Sequence, residues 1–168
     1  RIHLLKPDAM QSSVRMGWHT VSCQHPDFLK FRVLMTVLGG YFGSRLMSNI
    51  REVKGLTYGI SAGIANFPDT GLATISSETA TQNVEELIHE VYHEMDVLCE
   101  QLIPDAELEM VRNYILGEMG RTYEGAFSLA EAWINTEISH LSSDYPERAM
   151  KAVQEVTSEE LRDLARKY

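Results

Sequence analysis

The stretch "LTYGISAGIANFPDTGLATISSETA", residues 56–80, decides the fold class. Its two ends, LTYGISAGIA (56–65) and GLATISSETA (71–80), read as strands. Between them ANFPDTG supplies proline and glycine as turn formers, so the two segments form a strand pair. Upstream, SSVRMGWHT (12–20) alternates, with Val14, Met16 and Trp18 on one side, and reads as a further strand. Next, HPDFLKFRVLMTVLGG reads as a helix starting near Pro26–Asp27 and stopping at Gly39–Gly40. FGSRLMSNIREVKG resumes as a second helix, with Phe42, Leu46 and Ile50 expected on one face and Gly55 as the stop.

Downstream of residue 82 the chain turns helical. NVEELIHEVYHEMDVLCEQLI carries apolar residues at 84, 87, 88, 91, 95, 98 and 102, a helical stripe. PDAELEMVRNYILGEMGR restarts at Pro104, a good first-turn residue. FSLAEAWINTEISHL and the short PERAMKAV follow. TSEELRDLARKY then opens with Thr157 and Glu160 at capping-box spacing. Strands come early and helices late. That order implies an α+β fold: two layers, a mainly antiparallel sheet with helices packed on one face. No repeat, low-complexity run or linker divides the chain, so residues 1–168 read as a single domain.

The chain has 168 residues, 44% hydrophobic and 23% charged, an ordinary globular balance. Its formal net charge is −9, which excludes nucleic acid as an expected partner, since phosphate binding needs a basic footprint. No apolar run reaches the roughly 18 residues of a membrane span, so no membrane partner is expected. No signal peptide is recognisable, which says little of a longer parent, and the cytoplasm is the expected compartment. The chain opens on Arg1 rather than methionine and reads as part of something longer. Cys23 and Cys99 fit no metal or redox spacing and are expected reduced and buried.

HEVYH (89–93) matches H-E-x-x-H, in which a helix presents two histidines at i and i+4 to zinc and the glutamate serves as base. The helix phase speaks against it. At about 100° per residue, with Val84 at zero, the apolar stripe lies within about 60°. His89 and His93 fall on the opposite face, with Glu86 and Glu90 as expected neighbours. A solvated face offers neither a third ligand nor a walled cavity. His3, His19, His25 and His140 stand alone, and no phosphate loop or Ser-His-Asp pattern occurs. From the residues alone, this is an acidic α+β domain that binds something.

One longer stretch resembles a known family. VLGGYFGSRLMSNIREVKGLTYGISAG (37–63) contains Leu38-Gly39-Gly40, Ser44-Arg45-Leu46, Ile50-Arg51-Glu52 and Gly55-Leu56-Thr57-Tyr58. In that order they resemble the later, non-zinc-binding domain of the pitrilysin/insulinase family of zinc metallopeptidases, which includes mitochondrial processing peptidase. KPDAMQSSVRMGW is similar to the family's entry strand, and VQEVTSEELRDLARKY to its exit helix. The resemblance implies that Arg51 and Tyr58 reach across a closed chamber and hold a peptide's scissile carbonyl region at another domain's zinc site. Guanidinium and phenol are donors that suit a carbonyl oxygen gaining negative charge.

The same resemblance implies that zinc lies outside this chain, because the family's H-x-x-E-H is missing here. Implied partners are peptide substrate, the N-terminal zinc-binding domain of the parent, and a homo- or hetero-dimer mate. The isolated chain is expected to be inert. Two rivals remain: a non-catalytic partner or structural subunit, and a self-contained zincin using His89, Glu90 and His93.

Overall fold

The structure is a computed structural model that describes residues 9–67 and 69–168. His3, the first residues of the entry segment and the turn proline Pro68 lie outside the described residues. Strand β1 spans Gln11–Thr20, β2 Thr57–Asn66 and β3 Gly71–Ala80. They form an antiparallel sheet in the order β1-β3-β2. Gln11 lies opposite Ala80 and Thr20 opposite Gly71, while on the other side of β3 Asn66 lies opposite Gly71. β3 is therefore central, and β1 and β2 are edges among the described strands.

Period-2 alternation sorts the sheet into two faces. Val14, Ile60, Ala62, Ala73 and Ile75 point inward and are buried. Trp18 and Met16 are half-buried on the same side and pack on the core. The opposite face carries Arg15, Gly17 and His19, all exposed. The helices cover the first face: α1 (Phe28–Met35), α2 (Val84–Glu100), α3 (Asp105–Thr122), α5 (Tyr145–Glu155) and α6 (Ser158–Lys167) all bury side chains. The fold is α+β, with a layer of helices on one face of an antiparallel sheet.

Phe31, Leu46, Ile50, Ile75, Leu87, Val111, Val156 and Leu161 are fully buried in one shared core. Each such side chain stabilises the fold by about 1.5–3 kcal/mol relative to exposure. α6 starts on the capping box read from its sequence: the Glu160 amide donates to Thr157 Oγ1, and the Thr157 amide donates to Glu160 Oε2. Its far end is tied to α1, where Lys167 Nζ and the Tyr168 hydroxyl both donate to Asp27 Oδ2 at 2.7 Å.

Three expectations need correction. The helix after Gly40 does not begin at Phe42. A loop runs to Ser44, the wide-wound helical segment is Met47–Val53, and Phe42 is exposed. α2 stops at Glu100, so Leu102 falls off the buried stripe and Ile103 fills the core in its place. Cys99 is half-buried, whereas Cys23 is buried as expected; both are free thiols.

Candidate functional site

Arg51 and Tyr58 are brought together by a helix end, a glycine turn and a strand start. The segment Met47–Val53 buries Met47 and Ile50 and leaves Arg51 half-exposed. It is closed by amides of the next three residues: Lys54 to Asn49 O, Gly55 to Arg51 O and Leu56 to Ile50 O. Gly55 sits at φ +63, in the left-handed region where a side chain is strained. That residue turns the chain so that Leu56 is buried and β2 begins.

β2 then contains a bulge. Thr57 pairs with Thr79 and Ile60 with Ser77, so three steps on β2 face two on β3. A bulge inserts one residue and re-aims its neighbours. Here Thr57 and Ile60 are both buried, which strict alternation would forbid, and Tyr58 and Gly59 between them are both exposed. Buried hydroxyls hold it in place. Thr57 Oγ1 accepts from the Gly59 amide at 3.1 Å and from Ser77 Oγ at 3.0 Å. It lies 2.6 Å from Glu78 O, to which it donates. Thr79 Oγ1 donates to Leu56 O at 2.5 Å. Plain strand reading missed this device, because a bulge is a property of register between strands.

The result is a tyrosine side chain that is 95% exposed. Beside it Arg51 Nε donates to the Tyr58 carbonyl oxygen at 3.0 Å. The Arg51 guanidinium also lies 4.8 Å from the centre of the Phe42 ring, a cation–π contact. Phe42 thus braces Arg51 from outside the core. Arg51 and Tyr58 line one groove of about 540 Å³ with Gln11, Glu78, Thr79 and Asn83. Both residues expected to act are at one site, with one side chain anchored on the other's backbone.

The motif residues around them are structural. Ser44, Leu46 and Ile50 are buried. Arg45 makes a two-pronged contact to Glu107 of α3, at 2.8 and 2.9 Å, a fork geometry that lysine cannot copy. Lys54 reaches Glu90 of α2 at 2.9 Å, and Asn49 Nδ2 donates to Glu90 at 3.0 Å and Glu94 at 2.8 Å. These contacts fix the helical segment that carries Arg51 against α2 and α3.

HEVYH lies as the helix phase requires for its histidines: His89 and His93 are exposed. Glu90 departs from the expectation of a solvated neighbour, being only 8% exposed. The Lys54 ammonium, then Asn49 and His89, hold its carboxyl below the usual glutamate range against the opposing effect of burial. A carboxylate so engaged is not disposed as a base for water on the histidine face. Among the described residues no group of three or more His, Cys, Asp or Glu side chains could hold a metal ion. The described residues do not fit zinc. No described helix is long and apolar enough to cross a membrane.

A family model described as "Peptidase M16 inactive domain" matches residues 1–115. The chain belongs to that family. The pitrilysin/insulinase resemblance read from residues 37–63 is therefore correct. Curated relatives include an uncharacterised zinc protease of Mycobacterium tuberculosis, 24% identical over 166 residues, covering 99% of this chain and 38% of the relative. Another is a non-peptidase homologue of Helicobacter pylori, 28% identical over 147 residues, covering 84% of this chain and 33% of the relative. The chain thus spans well under half the length of the relatives it matches.

Among solved structures, a peptidase M16 inactive domain from Pseudomonas fluorescens superposes with TM-score 0.87 at 24% identity, over 95% of this chain and 38% of that one. The inactive peptidase domain of a Bordetella parapertussis zinc protease superposes with TM-score 0.82 at 17% identity, over 98% and 89%. The periplasmic protease PqqL of Escherichia coli shares the fold, with TM-score 0.74 at 15% identity over 96% and 18%. The cytoplasmic expectation is therefore no consequence of the fold.

Proposed function

We propose that this chain is the substrate-binding and chamber-closing domain of a zinc metallopeptidase that hydrolyses peptides, lending Arg51 and Tyr58 to a zinc site held in another domain. The observation that carries this reading is the outward phenol of Tyr58 beside an Arg51 whose Nε is already committed to the Tyr58 carbonyl. The Nη groups are left to meet a ligand; Nη1 lies 3.7 Å from Glu52, an exposed pair that costs little to break. A peptide carbonyl set between the phenolic O–H and the guanidinium gains two donors. Both bonds strengthen as its oxygen takes on negative charge, which is the requirement for accelerating the step. β2, an edge of the described sheet, offers main-chain groups to an extended peptide.

Tyr58→Phe in the full-length parent tests this. Losing one such donor costs roughly 10² to 10³ in rate in other hydrolases, and the lower end is expected where domain closure carries the donor in. The fall should be in kcat with KM little changed. Full activity in the Arg51→Ala, Tyr58→Phe double variant would overturn the reading. The non-peptidase homologue of Helicobacter pylori favours a second one, a non-catalytic partner or structural subunit of a processing-peptidase-like complex. A parent carrying H-x-x-E-H in its zinc domain supports the first; a parent without it supports the second.

A further inference from the structure

Helix α4 (Ala126–Ile138) is folded with its large apolar side chains pointing away from the molecule. No residue of α4 is buried. Its half-buried positions are Ser128, Ala132 and Thr136, a stripe of small residues at i, i+4, i+8 laid toward the body. At about 100° per residue, Phe127, Ile134 and Ile138 fall within about 40° of one another on a different face. They are exposed, Phe127 to 91% and Ile138 to 64%. Leu129 and Trp133 flank the small stripe on its other side, and Trp133 is 58% exposed. A helix apolar on this much of its circumference belongs in an interior. Contiguous exposed apolar surface of this kind marks an interaction site.

Charge decides between occupants. From Thr122 to Glu147 the chain carries five acidic residues and no lysine or arginine. Glu131 projects beside Ile138, and Glu137 between Trp133 and Ile134 on the helix wheel. Neither has an ion-pair partner among the described residues. A two-fold dimer through α4 would set the same patch against itself, acid against acid, in a chain of net charge −9. The face therefore fits a partner with an apolar centre and a basic rim. The curated relatives carry most of their length outside the matched region, since this chain covers 38% of the Mycobacterium tuberculosis protein. We infer that α4 is the surface on which the zinc-bearing domain of the same parent chain docks, through Phe127, Trp133, Ile134 and Ile138 against an apolar surface rimmed by lysine or arginine. This rests on the proposed function only for the identity of the occupant.

Hydroxyl-radical footprinting of the full-length parent tests it on the tryptic peptide 122–148, which holds all of α4. The expected result is that Phe127 and Trp133 label at least fivefold more slowly in the parent than in chain 1–168 alone, whose core closes within itself. That protection should not depend on protein concentration. Equal labelling in the two overturns the inference. Protection that appears only as mass doubles assigns the face to a second copy and also overturns it. As a second measurement, Phe127→Ser with Ile134→Ser should restore fast labelling of Trp133 in the parent, and should leave the melting of chain 1–168 within about 3 °C, since neither side chain is buried. Unchanged protection in that variant counts against the docking face. Labelling is read without substrate. A parent that hydrolyses nothing yet protects α4 removes the proposed chemistry and leaves the docking face standing.

Discussion

Thr57→Val separates a buried hydroxyl that holds a bulge from a buried residue that merely fills space. Valine keeps the shape and removes the oxygen. Thr57 Oγ1 accepts from the Gly59 amide and Ser77 Oγ and donates to Glu78 O. Ser77 can still donate to Gly59 O at 3.0 Å, so one of its bonds survives. Three bonds leave with the oxygen and one is replaced, so the net loss is about two hydrogen bonds at about 1 kcal/mol each, or about 2 kcal/mol. In a chain of this size that lowers Tm by about 4–8 °C. Thr57→Ser deletes one buried methyl and keeps the hydroxyl, costing about 1 kcal/mol. Hydrophobic burial alone ranks valine above serine; the bulge network ranks serine above valine. Thermal and urea unfolding of both variants read the order directly, and amide shifts at Tyr58 and Gly59 report whether the bulge has moved. A valine variant as stable as the original, or more stable than the serine variant, would refute the claim that these hydroxyls aim Tyr58.

Other expectations rest on the ties behind the site. Arg45→Ala should destabilise by about 2–3 kcal/mol, because it strips a two-pronged partner from a mostly buried carboxylate, and Arg45→Lys should recover only part of that in a denaturant titration. Glu90, Asp27 and Glu160 each have a carboxyl held below its usual range, chiefly by Lys54, Lys167 and Lys30 respectively. Their folded values lie below the unfolded ones, so their stabilisation is complete above the ordinary carboxylate range and is lost as pH falls through the folded values. Tm should be flat from about pH 7 to about pH 5 and fall below about pH 4.5, with a shallower acid slope in Glu90→Gln; an unchanged slope would exclude Glu90 as a contributor. Replacing His89 and His93 together by glutamine should change stability by no more than about 0.5 kcal/mol, and a stoichiometric zinc lost in that variant would reverse the assignment of HEVYH to a solvated face.

What could be read in the sequence was whatever a single element decides. The alternation of Val14, Met16 and Trp18, the stripe of Leu87, Val91 and Leu98, the Thr157 capping box and the helix stop at Gly55 are each local, and each stands where its spacing placed it. What escaped depends on a second element. Glu90 lies at the border of its helix stripe. Whether a border glutamate faces water or a neighbour is settled by Lys54 and Asn49, more than thirty residues away. The bulge at Tyr58 exists only in the register against β3. Phe42 has the hydrophobicity of a core residue but serves Arg51 from outside.

The site repeats this division. Arg51 and Tyr58 were found as residue types at a spacing that resembles a family. Their relation is not the symmetric pair of free donors that spacing suggests. Arg51 spends Nε on the Tyr58 backbone and its face on Phe42, so its remaining groups are fixed in direction. Among the described residues the Tyr58 hydroxyl makes no hydrogen bond, and the bulge leaves the ring outward. A fixed cation beside a projecting phenol suits a surface that must meet a substrate brought in by another body. The arginine needs its geometry before contact, because a planar fork has little tolerance in angle. The phenol can settle onto a carbonyl with its two side-chain torsions as the surfaces close. On this argument Phe42→Ala should act through Arg51 alone. It should weaken transition-state contacts in the parent while leaving this chain's stability nearly unchanged, because Phe42 is exposed and carries none of the core. A large loss of stability in Phe42→Ala would instead make Phe42 part of the packing, and the bracing of Arg51 incidental.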